Sequence, residues 1–212
     1  MSSKHHNSAA AGSGPLIRTR RAYFDVRYGQ LHVRTAFPAT GGFDEQAPLF
    51  CVHDAGGSSR DFGEFLAAIA ARRSVYAPDL PGSGESDPPP DDATGESAAA
   101  AILDLAADLR LRRIDLLGVG TGAAAALDVA RAAPERVGRL VAVGTQALAR
   151  IVTATHPCLV LALDGTRDPP PRAAGAVGRN LEWVVAPEYR DRPFLLAPQS
   201  IAERVSAFLD RG

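Results

Sequence analysis

Three glycines punctuate Gly118-Val119-Gly120-Thr121-Gly122, the segment that joins an apolar run to a helical pattern. Its centre, Gly120, carries no side chain that could attack a substrate. Glycine there suits either a close backbone approach to a ligand or strained dihedrals with nothing bound. Thr121 beside it has a hydroxyl, and it reads as a helix N-cap rather than a nucleophile. A second cluster, His53-Asp54-Ala55-Gly56-Gly57, follows the apolar run 48–53 and sets an imidazole and a carboxylate on a loop. Asp54 suits a site role and a turn role equally: it could hold a water or a cationic group. Asp79 opens Asp79-Leu80-Pro81-Gly82-Ser83-Gly84-Glu85-Ser86 as a turn aspartate. Asp168 follows the apolar run 158–163 and reads as a loop or cap aspartate. His5 and His6 stand in a polar tail and make a poor metal site, so no metal and no cofactor is expected.

These residues need elements to position them. Apolar and polar residues alternate over 18–26 and 30–36 around Tyr28-Gly29, the pattern of a β-hairpin. Short apolar runs at 48–53, 74–77, 114–119, 140–143, 158–163 and 181–185 read as buried strands. Phe62, Phe65, Leu66 and Ile69 recur at helical spacing, as do Ile102, Leu105, Ala106 and Leu109 within 95–111. Helices are also expected over 121–133 and 200–209. Alternation of strand and helix from residue 49 onward calls for a parallel, doubly wound α/β sheet of about eight strands with helices on both faces. Residues 1–15 lack any periodicity and read as a disordered tail, leaving 16–212 as one domain.

Composition narrows the function. The 212 residues are 46% hydrophobic and 22% charged, with a formal net charge of −1. A nucleic-acid partner asks for a basic face, so none is expected. No apolar run approaches the ~20 residues of a membrane helix, so no membrane partner is expected either. Two cysteines, Cys51 and Cys158, both on buried runs, read as small core hydrophobes in a reducing, cytoplasmic setting. Trp183 reads as core or interface. Arg110, Arg112 and Arg113 read as a solvated helix end.

Segment 49–87, with its His53 loop and its Asp79-x-x-Gly-x-Gly-x-Ser86 motif, resembles the α/β-hydrolase fold superfamily. Segments 114–145 and 157–168 resemble that family's elbow block and acid-bearing strand. The resemblance implies a nucleophile on the elbow, a carboxylate, a late histidine, and oxyanion donors from the elbow and the His53 loop. Carried onto this chain, the nucleophile position is Gly120, the acid position is Asp168 and the histidine position lies near Asp191. No histidine follows His156. The N–H of Thr121 falls at an oxyanion donor position. Asp54 replaces a glycine and would repel an oxyanion. The elbow also resembles Gly-Val-Gly-Ala-Gly of the non-catalytic N-myc downstream-regulated family.

Only residues 146–157 stand where relatives insert a helical lid, so the member expected is capless. If the family's strand order holds, two strands separate Cys51 from Cys158, roughly 14 Å at ~4.8 Å per strand, too far for a disulfide. The resulting expectation is a triad-deficient, non-hydrolytic binding or regulatory protein. Its pocket would lie among His53, Asp54, Ala55, Gly120 and Thr121, with a possible small-molecule ligand. Two alternatives stand beside it. One is a hydrolase or lyase using Asp54 and Asp168. The other is an interaction module that forms a homodimer through the capless face.

Overall fold

A computed structural model of the chain describes residues 17–39, 46–89, 97–145, 155–164, 169, 180–189 and 193–211. The expected tail, Asp168 and Asp191 lie outside the described residues.

The strands are β1 (Arg20–Val26), β2 (Gly29–Ala36), β3 (Leu49–Val52), β4 (Val75–Pro78), β5 (Ile114–Val119), β6 (Val137–Val143), β7 (Cys158–Ala162) and β8 (Leu181–Val185). The helices are α1 (Phe65–Ile69), α2 (Ser97–Asp108), α3 (Thr121–Ala132), α4 (Pro193–Leu196) and α5 (Pro198–Leu209). The strands form one sheet in the order β1-β2-β4-β3-β5-β6-β7-β8. β2 pairs antiparallel with both β1 and β4, and every other neighbour is parallel.

Burial on both faces explains why the central strands are almost wholly apolar. In β3, Phe50 and Val52 face the cluster under α2 and α3, while Leu49 and Cys51 face the cluster under α1 and α5. β5 divides likewise, with Leu116 on the first side and Leu117 on the second. Cys51 and Cys158 are free and buried, with β5 and β6 between their strands. Burial pushes the Cys51 thiol far up and the Cys158 thiol up to about 12, so neither is a ready nucleophile.

Besides α4, which the sequence pattern did not announce, the elements differ from the sequence expectation in two places. Phe62 does not share a helix with Phe65. It closes a 3-10 turn, Ser59–Phe62, and Gly63 at φ 43° separates that turn from the five-residue α1. Both phenylalanines are still buried, because they pack with Phe194 of α4 rather than on one helical stripe. β6 begins three residues earlier than the apolar run suggests, since the half-buried Arg139 interrupts the pattern without interrupting the strand.

Segment 144–157 joins β6 to β7, and among the described residues no lid helix lies between them. Nor, among those residues, is any helix long and apolar enough to cross a membrane.

Candidate functional site

The carboxyl ends of β3, β5, β6 and β7 converge on one edge of the sheet, where open α/β folds place their ligands. Loop 53–57 leaves β3 and the elbow leaves β5, and these strands are neighbours with Val52 beside Gly118. That register alone brings residues 54 and 120 to the same place.

The elbow fits only glycine for steric reasons that differ at each position. Gly120 sits at φ 53°, ψ −118°, a conformation that side chains disfavour. A Cβ on Gly118 would run into the first turn of α3, and one on Gly122 would run into the carbonyls of Val52 and His53. A Cβ on Gly120 would overlap Cγ and both oxygens of Asp54. The carboxylate of Asp54 therefore occupies the space into which an elbow side chain would project.

Its hydrogen bonds hold it there. The Thr121 N–H donates to Asp54 Oδ1 at 2.8 Å, the Thr121 hydroxyl at 2.6 Å and the Ala55 N–H at 2.8 Å. The Ala55 N–H also lies 2.8 Å from Thr121 Oγ1. Partial burial on its own would raise the Asp54 carboxyl. The hydrogen bonds from Thr121 and Ala55 outweigh it and hold the carboxyl below the ordinary carboxylate range.

Thr121 is therefore not the N-cap expected of it. Gly120 occupies the cap position of α3 with no side-chain cap bond, and the Thr121 hydroxyl is drawn to Asp54 instead. Asp54 Oδ1 thus accepts the Thr121 and Ala55 N–H groups, the first of which the family resemblance places as an oxyanion donor.

His53 is buried and structural. Its Nδ1 lies 2.8 Å from the Asp54 carbonyl, and its Nε2 accepts the Leu80 N–H at 2.9 Å. With Nε2 accepting from Leu80, Nδ1 is the ring nitrogen that donates to the Asp54 carbonyl. Asp79 is buried too, and it is more than a turn residue. Its carboxylate accepts the N–H groups of Ser59 and Glu85, and its Oδ2 lies 2.8 Å from His32 Nδ1. Burial pushes this carboxyl up, but the bonds from Ser59, Glu85 and His32 more than offset it, and the net shift is downward.

Two cavities open beside Asp54. One, of about 520 Å³, is bounded by Asp54, Val119, Val143, Thr145, Leu163 and Asp164. The other, of about 480 Å³, is bounded by His53, Asp54, Arg60, Phe62, Phe194 and Leu195. Sequence reading missed Asp164, Thr145 and α4. Asp164 was within reach of it, because a carboxylate two residues beyond β7 stands where strand ends carry function. The walls from α4 had no local signal, since Phe194 is placed by long-range packing on Phe62 and Phe65. Among the described residues no group of three or more His, Cys, Asp or Glu could hold a metal ion.

The profile of the alpha/beta hydrolase family matches residues 49–211. The chain belongs to that family.

Naproxen esterase from Bacillus subtilis superposes on this hydrolase-family chain with a TM-score of 0.73 at 17% identity, covering 92% of each chain. That is a likeness of fold. An uncharacterized protein of Mycobacterium tuberculosis is 33% identical over 95 residues, which is 45% of this chain and 28% of that protein. The dihydrolipoyllysine-residue acetyltransferase component of the acetoin cleaving system of Pseudomonas putida is 31% identical over 115 residues, 54% of this chain and 31% of that protein. The matched stretches thus span less than a third of either relative's length.

Proposed function

We propose that this chain is a non-hydrolytic, ligand-binding member of the alpha/beta hydrolase family. The observation that carries the reading is the Asp54 carboxylate, which fills the space above Gly120 and takes up the N–H groups of Thr121 and Ala55. Ester hydrolysis on this fold requires a side-chain nucleophile, a base for its proton and free donors for the tetrahedral oxyanion. Gly120 supplies no nucleophile, the donors are engaged, and no histidine follows His156 in the sequence. A small molecule in the cleft is the partner that these features favour. The two free, buried thiols support a reducing, cytoplasmic setting.

The full chain incubated with short p-nitrophenyl esters is expected to show neither burst nor turnover above buffer. Turnover that survives repurification and vanishes in Asp54→Asn would overturn the reading. It would give Asp54 a catalytic role, the arrangement in which Asp54 and Asp168 act together.

One observation favours a second reading, an interaction face. Leu195 of α4, at the rim of the cleft, and the adjoining Leu196 are 55% and 70% exposed. A homodimer through this face would cover them. Light scattering at high protein concentration checks it, and a clean monomer removes it.

A further inference from the structure

A cleft that receives esters or carboxylates offers N–H groups to their oxygens. In this cleft those groups are already engaged. The N–H groups of Thr121 and Ala55 and the Thr121 hydroxyl all serve Asp54 Oδ1. The Gly120 N–H donates to the Val143 carbonyl and the Gly144 N–H to the Leu161 carbonyl. The Thr145 hydroxyl donates to Asp164 Oδ2 at 3.1 Å. The 520 Å³ cavity is therefore bordered by two carboxylates, Asp54 and Asp164, and the donors just named are in use. Its remaining walls, Val119, Val143, Leu163 and Pro193, are aliphatic. Among the described residues, the one cation bordering the cleft, Arg60, stands on the other cavity and is paired with Glu85 at 2.6 Å.

We propose that Asp54 reverses the hydrogen-bonding polarity of this cavity, so that it takes a small primary alkylammonium and refuses carboxylates and ester carbonyls. The proposal rests on the reading of the cleft as a non-hydrolytic binding site, and it names the ligand class of that site. The reasoning is an inventory of donors and acceptors. A carboxylate entering the cavity meets the Asp54 carboxylate where the Thr121 and Ala55 N–H groups are already taken, and loses hydration that those donors do not replace. An ammonium brings its own N–H groups, and Asp54, held ionised by three hydrogen bonds, accepts them as a charge-assisted pair. The alkyl chain then lies on the aliphatic walls.

The test compares n-butylammonium with butyrate, two probes of one length and opposite polarity. Each is titrated into the full-length chain at neutral pH and followed by amide chemical shifts. Butylammonium is expected to bind about tenfold or more tightly than butyrate, with shifts at Gly120, Thr121 and Val143. Asp54→Asn retains the volume and removes the charge. It should lose about tenfold in butylammonium affinity and discriminate less against butyrate, because the amide removes the charge and puts an NH2 donor where a carboxylate oxygen stood. Asp54→Gly empties the hole and should reverse the preference toward butyrate.

The proposal fails if the wild-type chain prefers butyrate, if it binds neither probe, or if Asp54→Asn binds butylammonium at wild-type affinity. The isosteric variant keeps the test decisive should Asp54→Gly not fold. Ester turnover by the wild-type chain would sink the non-hydrolytic reading whatever the amine result. Failed amine binding without turnover would sink only the ligand class.

Discussion

Asp54 and Gly120 act as a matched pair. The elbow lacks a side chain, and a loop 66 positions earlier supplies a carboxylate to the same volume. Each restricts what the other position can accept. Gly120→Ala should cost about 3 kcal/mol, combining a disfavoured backbone conformation with overlap on Asp54. Introducing Asp54→Gly alongside it relieves the overlap. Urea unfolding of the two single variants and the double variant should therefore show a coupling of about 1 kcal/mol or more. Additive effects would mean that Asp54 moves aside at little cost, and the pair would not be matched.

At the scale of elements, the loops that carry the site are pinned from beneath by Asp79. It joins the 3-10 turn after loop 53–57 to the loop after β4, and His53 ties the same loop through the Leu80 N–H. Asp79→Asn leaves buried N–H groups poorly matched and should cost about 2 kcal/mol near neutral pH. The Asp79 carboxyl is held below its unfolded value. Its contribution is therefore fully present above about pH 4, the ordinary carboxylate value, and is lost as pH falls through the lower folded value. Thermal melts of wild type and Asp79→Asn should converge as pH drops below that range. A gap that stays constant with pH would mean the carboxylate charge contributes nothing.

Across the whole molecule, a buried ion network closes the opposite edge of the sheet. Arg73 is fully buried. It donates to Asp115 of β5 at 2.8 Å, to Asp210 beyond α5 at 2.5 Å and to the Ala47 carbonyl at 3.2 Å. One guanidinium thus joins three regions far apart in sequence, while Asp115 also accepts the Arg139 N–H. Burial pushes the Asp115 carboxyl up, against the opposing pull of Arg73. Arg73→Met would leave that carboxylate buried without its cation and should cost about 3–5 kcal/mol at pH 7. A raised carboxyl favours the folded state when protonated, so the loss should shrink as pH falls toward 4. Denaturant unfolding at the two pH values checks both size and sign.

Much of this was legible in the chain because it is local. Glycine spacing at 118–122 announced the turn, apolar runs marked the parallel strands, and all five histidines fall at or before residue 156. The mostly parallel pairing of the strands followed from their alternation with helices. Sequence could also name Asp54 as an anomaly, since a carboxylate on a donor loop stands out by type. It could not say where that carboxylate points. Residues 54 and 120 meet only because β3 and β5 are paired in register, and the direction of one side chain follows from three hydrogen bonds formed across that pairing. Thr121 read as a helix cap for the same reason: its local preference was plain, and the stronger competing acceptor arrives from a distant loop. Local patterning determined the scaffold and what the elbow lacks. Tertiary packing decided what fills the vacancy, because long-range register sets which acceptor the donors find.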